Sequence, residues 1–104
     1  MRLYIAGPVT GIPDYKERFN AAEAELKEKG HTVLNPAILP DGLTHAQHMT
    51  ICLPMLDVCE GILLLDGWQH SKGAMMEYNR AIATEKTRFY SLQHVHTVTQ
   101  AKEW

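Results

Sequence analysis

Short apolar runs alternate along the chain with longer segments whose apolar residues recur every three or four positions. Runs of the first kind, closed by glycine, proline or charged residues, predict buried strands. Segments of the second kind predict amphipathic helices. The run GILLLD is the most continuous, as is typical of a central strand in a parallel sheet. Four strands are predicted, over residues 2–6, 31–36, 61–66 and 87–92.

Three helices are predicted between these strands, over residues 14–29, 44–60 and 71–86. Two of them start with the spacing of a capping box, in which two side chains satisfy free amides of the first turn: Asp14 with Glu17, and Thr44 with Gln47. In the third helix, Ser71 is the predicted N-cap. The apolar stripe of the first helix consists of Tyr15, Phe19, Ala22 and Leu26, and that of the third of Ala74, Tyr78, Ala81 and Ile82.

The helix ends carry further signals. Gly30 is predicted to end the first helix in a left-handed conformation. Pro54 lies inside the second helix and is expected to kink it or to start a second segment. The tail from residue 93 is weakly patterned and predicts one terminal turn of helix. His94 and His96 alternate there as on a strand, and surface positions are expected for them.

The order β-α-β-α-β-α-β indicates a parallel sheet with right-handed crossovers. A chain of 104 residues is long enough for one compact domain and too short for two. We therefore predict a single α/β domain over residues 1–104. It is a doubly wound parallel sheet of about four strands, flavodoxin- or Rossmann-like, with helices on both faces.

Composition narrows the classes of partner. With 10 basic and 12 acidic residues, the formal net charge is −2, which provides no electrostatic footprint for duplex nucleic acid or a membrane surface. No apolar run approaches the ~20 residues of a membrane span, and RLYIAG is not a signal peptide. We expect a cytoplasmic protein whose partners are small molecules or proteins. Cys52 and Cys59, about 10 Å apart on one helix, are expected to be reduced thiols.

In doubly wound sheets, ligands bind beyond the carboxyl ends of the strands, where the strand order reverses. The loops after the first and third predicted strands both contain glycine and both lead into a helix N-terminus. The first loop, GPVTGIP, carries the binding candidates Gly7, Pro8 and Gly11, whose glycines let backbone amides approach a ligand. We expect the chemistry to lie where the two loops meet.

The second loop ends in Ser71, Lys72 and Gly73 at a helix N-terminus, where free amides and the helix dipole favour a phosphate. An ordinary N-cap serine is the alternative interpretation. Two interpretations of Trp68, in the same loop, also stay open: stacking on a nucleobase, or filling a subunit contact.

Glu77 lies on the small-residue face of the third helix. A carboxylate on that face lies either at a rim or in a pocket, and in a pocket partial desolvation makes it a nucleophile or a general base. Tyr4 is either a core aromatic or, if it points at the carboxyl end of its strand, a hydrogen-bond partner that holds Glu77 in place.

His45, His48 and Cys52 fall close to one face of the second helix. A zinc site needs a fourth ligand and firm geometry, so we predict no metal here. The favoured interpretation is a half-exposed helix face with a buried thiol.

Two stretches together resemble the nucleoside 2-deoxyribosyltransferase-like superfamily. They are LYIAGPVTG at the start and DVCEGILLLDGWQHSKGAMMEYNRA in the second half, and the similarity covers nearly the whole chain. The superfamily includes nucleoside deoxyribosyltransferases and nucleoside 5′-monophosphate N-glycosidases. The chain is most similar to small members with the same GW..S.GA...E pattern.

The resemblance implies roles for three residues. Glu77 matches the family nucleophile, which attacks the anomeric carbon and forms a glycosyl-enzyme. Tyr4 matches the tyrosine that orients this glutamate. Ser71 matches the serine that contacts the 5′-phosphate in the monophosphate hydrolases, a position occupied by aspartate in the free-nucleoside transferases.

The chain departs from the family at Cys52, where an aspartate usually protonates or positions the base. His48, one turn earlier, is the candidate for taking over protonation. Cys52, His48 and Trp68 are thus the possible base-side residues. The chain is also shorter than the transferases, whose C-terminal segments complete a neighbour's site.

The resulting prediction is cleavage of the N-glycosidic bond of a (deoxy)nucleoside 5′-monophosphate through a glutamyl intermediate, with hydrolysis favoured over transfer. No metal or redox cofactor is required. Alternatives are a catalytically degenerate nucleotide-binding module and a partner-binding protein. We also expect self-association, as a homodimer or a higher homo-oligomer, because one small sheet leaves apolar surface to cover.

Overall fold

The apolar runs form one parallel sheet of four strands. The computed structural model describes residues 1–101, with side chains through residue 99. The strands pair in the order β2-β1-β3-β4, and every pair is parallel. Their bounds are Arg2–Ala6 (β1), Thr32–Leu34 (β2), Gly61–Leu64 (β3) and Thr87–Phe89 (β4). The predicted doubly wound α/β fold is confirmed, and the strand order reverses between β1 and β3.

Four α-helices accompany the sheet, within the described part of the chain. They are Tyr15–Glu28 (α1), His45–Asp57 (α2), Lys72–Ala83 (α3) and Leu92–Ala101 (α4). Two short 3-10 turns, Pro36–Ile38 and Trp68–His70, lie in the loops after β2 and β3. None of the helices described is long and apolar enough to cross a membrane.

The two predicted capping boxes had different outcomes. Thr44 and Gln47 form one, with the Thr44 hydroxyl accepting from the Gln47 amide and the Gln47 side chain accepting from the Thr44 amide. The box at Asp14 is wrong, because its side chain makes no capping hydrogen bond. The preceding turn replaces it, since the Tyr15 amide donates to the carbonyl of Ile12 at 3.3 Å.

Helix ends also differ from prediction in places. Gly30 has φ 89° and ends α1 as expected. α2 is one helix through Pro54 and ends at Asp57, so a second segment starting at Pro54 is wrong. Lys86 contributes to this earlier end, because its ammonium donates to the carbonyls of Asp57 and Cys59 at 3.2 and 2.7 Å.

The tail was predicted wrongly, because it forms the ten-residue helix α4. Ser91 accepts from the His94 amide at the helix start, and Val95 is fully buried against the sheet. His96 is neither on a strand nor at an open surface, since its ring pairs with Glu25 at 3.0 Å and its side chain is 15 % exposed. Tertiary packing, and not the local sequence pattern, therefore stabilises α4.

Alternate residues of β1 serve two separate cores. Leu3 and Ile5 pack with α1 and α4 on one face of the sheet. Tyr4 and Ala6 pack with α2 and α3 on the other. Of the predicted apolar face of α3, Ala74 and Ala81 are buried and Tyr78 is half-buried, whereas Ile82 is 44 % exposed, against prediction.

Candidate active site

A cleft of about 180 Å³ lies at the carboxyl ends of the inner strands, on the α2/α3 face of the sheet. This is the position that the reversal of strand order predicts. Its volume is below the ~300–1,000 Å³ of most small-molecule pockets. Residues of the loops after β1 and β2 and of the first turns of α2 and α3 line the cleft. They include Gly7, Val9, Thr10, Thr44, His45, His48, Met49, Ser71, Gly73 and Glu77.

Glu77 lies in the cleft wall, not at an open rim, and is 5 % exposed. The Tyr4 hydroxyl, itself fully buried, donates a hydrogen bond to the Glu77 carboxylate. The two residues meet because Tyr4 points from β1 toward α3. Ala74 and Ala81, each about one turn from Glu77, are small enough to let α3 approach the sheet.

Burial dominates the electrostatics of this pair. It raises the pKa of Glu77 to about 7, although the hydrogen bond from Tyr4 acts in the opposite direction. Burial also raises the pKa of Tyr4 well above its ordinary value, and the nearby Glu77 adds to this. Tyr4 therefore remains a proton donor, and Glu77 is available as a carboxylate from about neutral pH upward.

Ser71 caps α3 and also lines the cleft. Its hydroxyl oxygen accepts from the Ala74 amide at 3.2 Å, which leaves its own proton free to donate. Gly73 lines the cleft beside it, whereas the exposed Lys72 does not. A Cβ at Gly73 would lie 3.4 Å from the Met49 sulfur, so the starts of α2 and α3 are in close contact.

The loop after β1 lines the cleft with only one of its three predicted binding residues. Gly7 is buried in the lining, and a Cβ there would lie 3.0 Å from the Leu65 Cβ, so a side chain has no room. Pro8 lies outside the lining and contacts Gly67, whose added Cβ would be 3.3 Å from the Pro8 ring. Gly11 is exposed and also lies outside the lining.

The other predicted residues occupy three different environments. His48 lines the cleft and is half-buried, and burial, with a contribution from His45, lowers its pKa. Cys52 is fully buried below the cleft, and burial raises its pKa to about 11. Trp68 lies outside the lining, with its ring centroid 4.5 Å from that of Tyr78.

Metal binding finds no support in these positions. Within residues 1–101, no three histidine, cysteine or acidic side chains are close enough together to hold an ion. Cys52 and Cys59 are both free thiols, as predicted, and both are buried. Their predicted place on one helix is wrong, because α2 ends at Asp57, before Cys59.

Sequence reasoning missed the contribution of the loop after β2. Pro36, Leu43 and Thr44 line the cleft, together with His45 and Met49 just inside α2. A signal for it was present, because the Thr44–Gln47 capping box places a helix start next to the carboxyl end of a strand. The sequence prediction named candidates on the second helix but none in the loop that leads into it.

Comparison with protein families assigns the chain to a family. A family profile described as "Domain of unknown function (DUF4406)" matches residues 1–90. The chain belongs to this DUF4406 family. A comparison with curated proteins found no match.

A solved structure supports the fold of this DUF4406 member. The solved structure is that of a 2-desoxiribosyltransferase from Leishmania mexicana, with 23 % sequence identity and a TM-score of 0.67. The match covers 84 % of this chain and 61 % of the other, so the chain spans about three fifths of that protein's length. The protein thus has a nucleoside 2-deoxyribosyltransferase-like fold, as its sequence motifs predicted.

Proposed function

We propose that this protein cleaves the N-glycosidic bond of a (deoxy)nucleoside 5′-monophosphate, with water as the preferred acceptor. The observation that carries the proposal is the buried Glu77, held by Tyr4 in the wall of a cleft that also contains the start of α3. A carboxylate placed this way can attack an anomeric carbon, because its hydration shell is already removed and its orientation is fixed.

The proposed reaction has two steps. In the first, a Glu77 oxygen bonds to the anomeric carbon, the N-glycosidic bond breaks, and its electron pair leaves with the base. In the second, water displaces the sugar from Glu77 and restores the carboxylate. Tyr4 keeps the attacking oxygen in position throughout, and its hydrogen bond stabilises the negative charge that returns to the Glu77 carboxylate in the second step.

The start of α3 supports a monophosphate as the substrate. Ser71 and Gly73 border the cleft one turn before Glu77, and the free amides of a helix start attract an anion. A phosphate there would leave the sugar next to Glu77. The solved structure with a similar fold is a 2-desoxiribosyltransferase, so transfer to a second base is the variant reaction.

A nucleotide-binding module without turnover is the second candidate, and one observation favours it. Among the described residues, Glu77 is the single carboxyl group in the lining of the cleft. Cys52, at the position where the resembled family usually has an aspartate, is buried outside the lining. Glycosidases usually pair two carboxyl groups, one of which protonates the leaving group.

Incubation with a panel of nucleosides and 5′-monophosphates, followed by chromatography for free base, tests the proposal. We expect release of base from at least one monophosphate and slower or no release from its nucleoside. Thermal stabilisation by a monophosphate without any release of base would favour the binding module instead. Neither stabilisation nor release across the panel would contradict both.

A further inference from the structure

Two histidines of the cleft have no part in the glycosyl-transfer steps described so far. His45 and His48 lie on the first turns of α2, and both line the cleft that contains Glu77. His45 is exposed at the outer end, whereas His48 lies one turn farther along the helix and is half-buried. His48 is therefore the imidazole partly shielded from bulk water.

Contacts between the helices place the first turns of α2 beside those of α3. A Cβ at Gly73 would lie 3.4 Å from the Met49 sulfur and 3.7 Å from His45 Cε1. The first turns of α2 thus border the start of α3, from which Glu77 follows one turn later. His48 and Glu77 therefore line the same cleft from two adjacent helices.

The protonation states of the residues that line the cleft fit a proton acceptor at His48. Burial, together with the neighbouring His45, lowers the pKa of His48, so its ring is neutral at neutral pH. The other titratable groups facing the cleft along the described chain are His45 and Glu77, with Tyr4 and Cys52 buried beneath. Once Glu77 is an ester it carries no charge, and it cannot itself accept a proton from water.

We propose that His48 is the general base of the second step, a role that rests on the proposed function. A water molecule between His48 and the anomeric carbon gives a proton to an imidazole nitrogen while its oxygen bonds to that carbon. The bond from the carbon to the Glu77 oxygen breaks, and its electron pair restores the carboxylate. The imidazolium then releases its proton to solvent.

This role predicts a split between the two steps. In His48→Gln, the first turnover should still release base in an amount equal to the enzyme, because Glu77 and Tyr4 are intact. Steady-state hydrolysis should fall by about 100-fold or more, as expected for loss of a general base. Adding a second free base should restore turnover, since transfer reverses the first step. In His48→Ala, added imidazole should restore part of the hydrolysis.

His70→Gln is the matched control, because His70 is exposed and lies outside the lining. Circular dichroism and nucleotide binding check that each variant is folded. Unchanged hydrolysis in His48→Gln, or an equal loss of the initial burst and the steady state, would overturn the role of His48. Absence of any base release by the wild-type protein would instead contradict the proposed function, and with it this inference.

Discussion

The two faces of the sheet are packed by alternate residues of the same strand, yet they differ in chemistry. Leu3 and Ile5 point into an apolar core with α1 and α4. Tyr4 points the other way and donates a hydrogen bond to Glu77, a buried residue of α3. Both faces contribute stability through apolar burial, but only the α2/α3 face also keeps a carboxylate away from water, at a cost in stability. The difference separates a core that only holds the fold from one that also contains the candidate site.

The largest expected effect is on the α2/α3 face. Glu77→Gln keeps the shape of the side chain and removes the proposed nucleophile, so turnover should fall by at least about 10⁴-fold, equivalent to about 5.5 kcal/mol of barrier. The measurement is base release by the purified variant. Glu28→Gln, at the exposed end of α1, is the control and should behave as wild type. Turnover within tenfold of wild type would remove Glu77 from the reaction.

The apolar face should respond in the opposite way. Leu26→Ala deletes a fully buried side chain of α1 and should lower the free energy of unfolding by about 2–5 kcal/mol. Turnover per folded molecule should stay close to wild type. Denaturant unfolding gives the first quantity, and activity well below the melting temperature gives the second. Ile82→Ala, at a position 44 % exposed, should cost less than about 1 kcal/mol.

The third prediction concerns pH. Folding raises the pKa of Glu77 from 4.5 to about 7, so the protein binds this proton more tightly folded than unfolded. The contribution to stability is full below pH 4.5 and is lost as the pH rises through 7. Glu77→Gln has no such loss, so its stability relative to wild type should increase by on the order of 3 kcal/mol between pH 4.5 and 8.

Denaturant unfolding of both proteins across this range measures the effect, and subtracting one curve from the other cancels the remaining titratable groups. A stability difference that does not change with pH would show that Glu77 ionises as an exposed carboxyl does. Glycosidase turnover in wild type should rise over the same range, because the carboxylate is the nucleophile.

The smallest expected effect concerns the phosphate. Wild type should bind a 5′-monophosphate at least about tenfold more tightly than its nucleoside, because charge-assisted hydrogen bonds at a helix start are stronger than neutral ones. Ser71→Asp should reverse this preference by repelling the phosphate. Titration calorimetry with the paired ligands measures both constants.

Ser91→Asp is the matched control, because Ser91 caps α4 and lies outside the cleft. It should leave the preference for the monophosphate unchanged. Equal affinities for nucleoside and monophosphate in wild type would show that Ser71 is an ordinary cap.

Local signals predicted most of the fold. Apolar runs identified β1 and β3, and the caps Thr44 and Ser71 placed the starts of α2 and α3 correctly. These features depend on neighbouring residues, which the sequence displays directly. α4 was missed because its anchor, Val95, has meaning only once the sheet face that it covers is known.

The site was predictable where a strand and a helix meet in a known order. Tyr4 and Glu77 are brought together because β1 and β3 are neighbours in the sheet and α3, which follows β3, packs back onto both strands. The depth of Cys52 and the packing of Trp68 on Tyr78 depend on side-chain directions that no spacing rule provides. The loop after β2 also contains glycine and leads into a helix start, but it was missed because β2 is an edge strand, away from the reversal of strand order.

The small volume of the cleft has a consequence for selectivity. On the proposed function, its 180 Å³ hold the sugar, which carries the bond that breaks, and the nucleobase extends toward solvent. A base surrounded by water is discriminated weakly by shape. Its rate of departure then follows its intrinsic acidity, so substrates should rank along a linear free-energy relationship, and bases that better bear negative charge should be released faster.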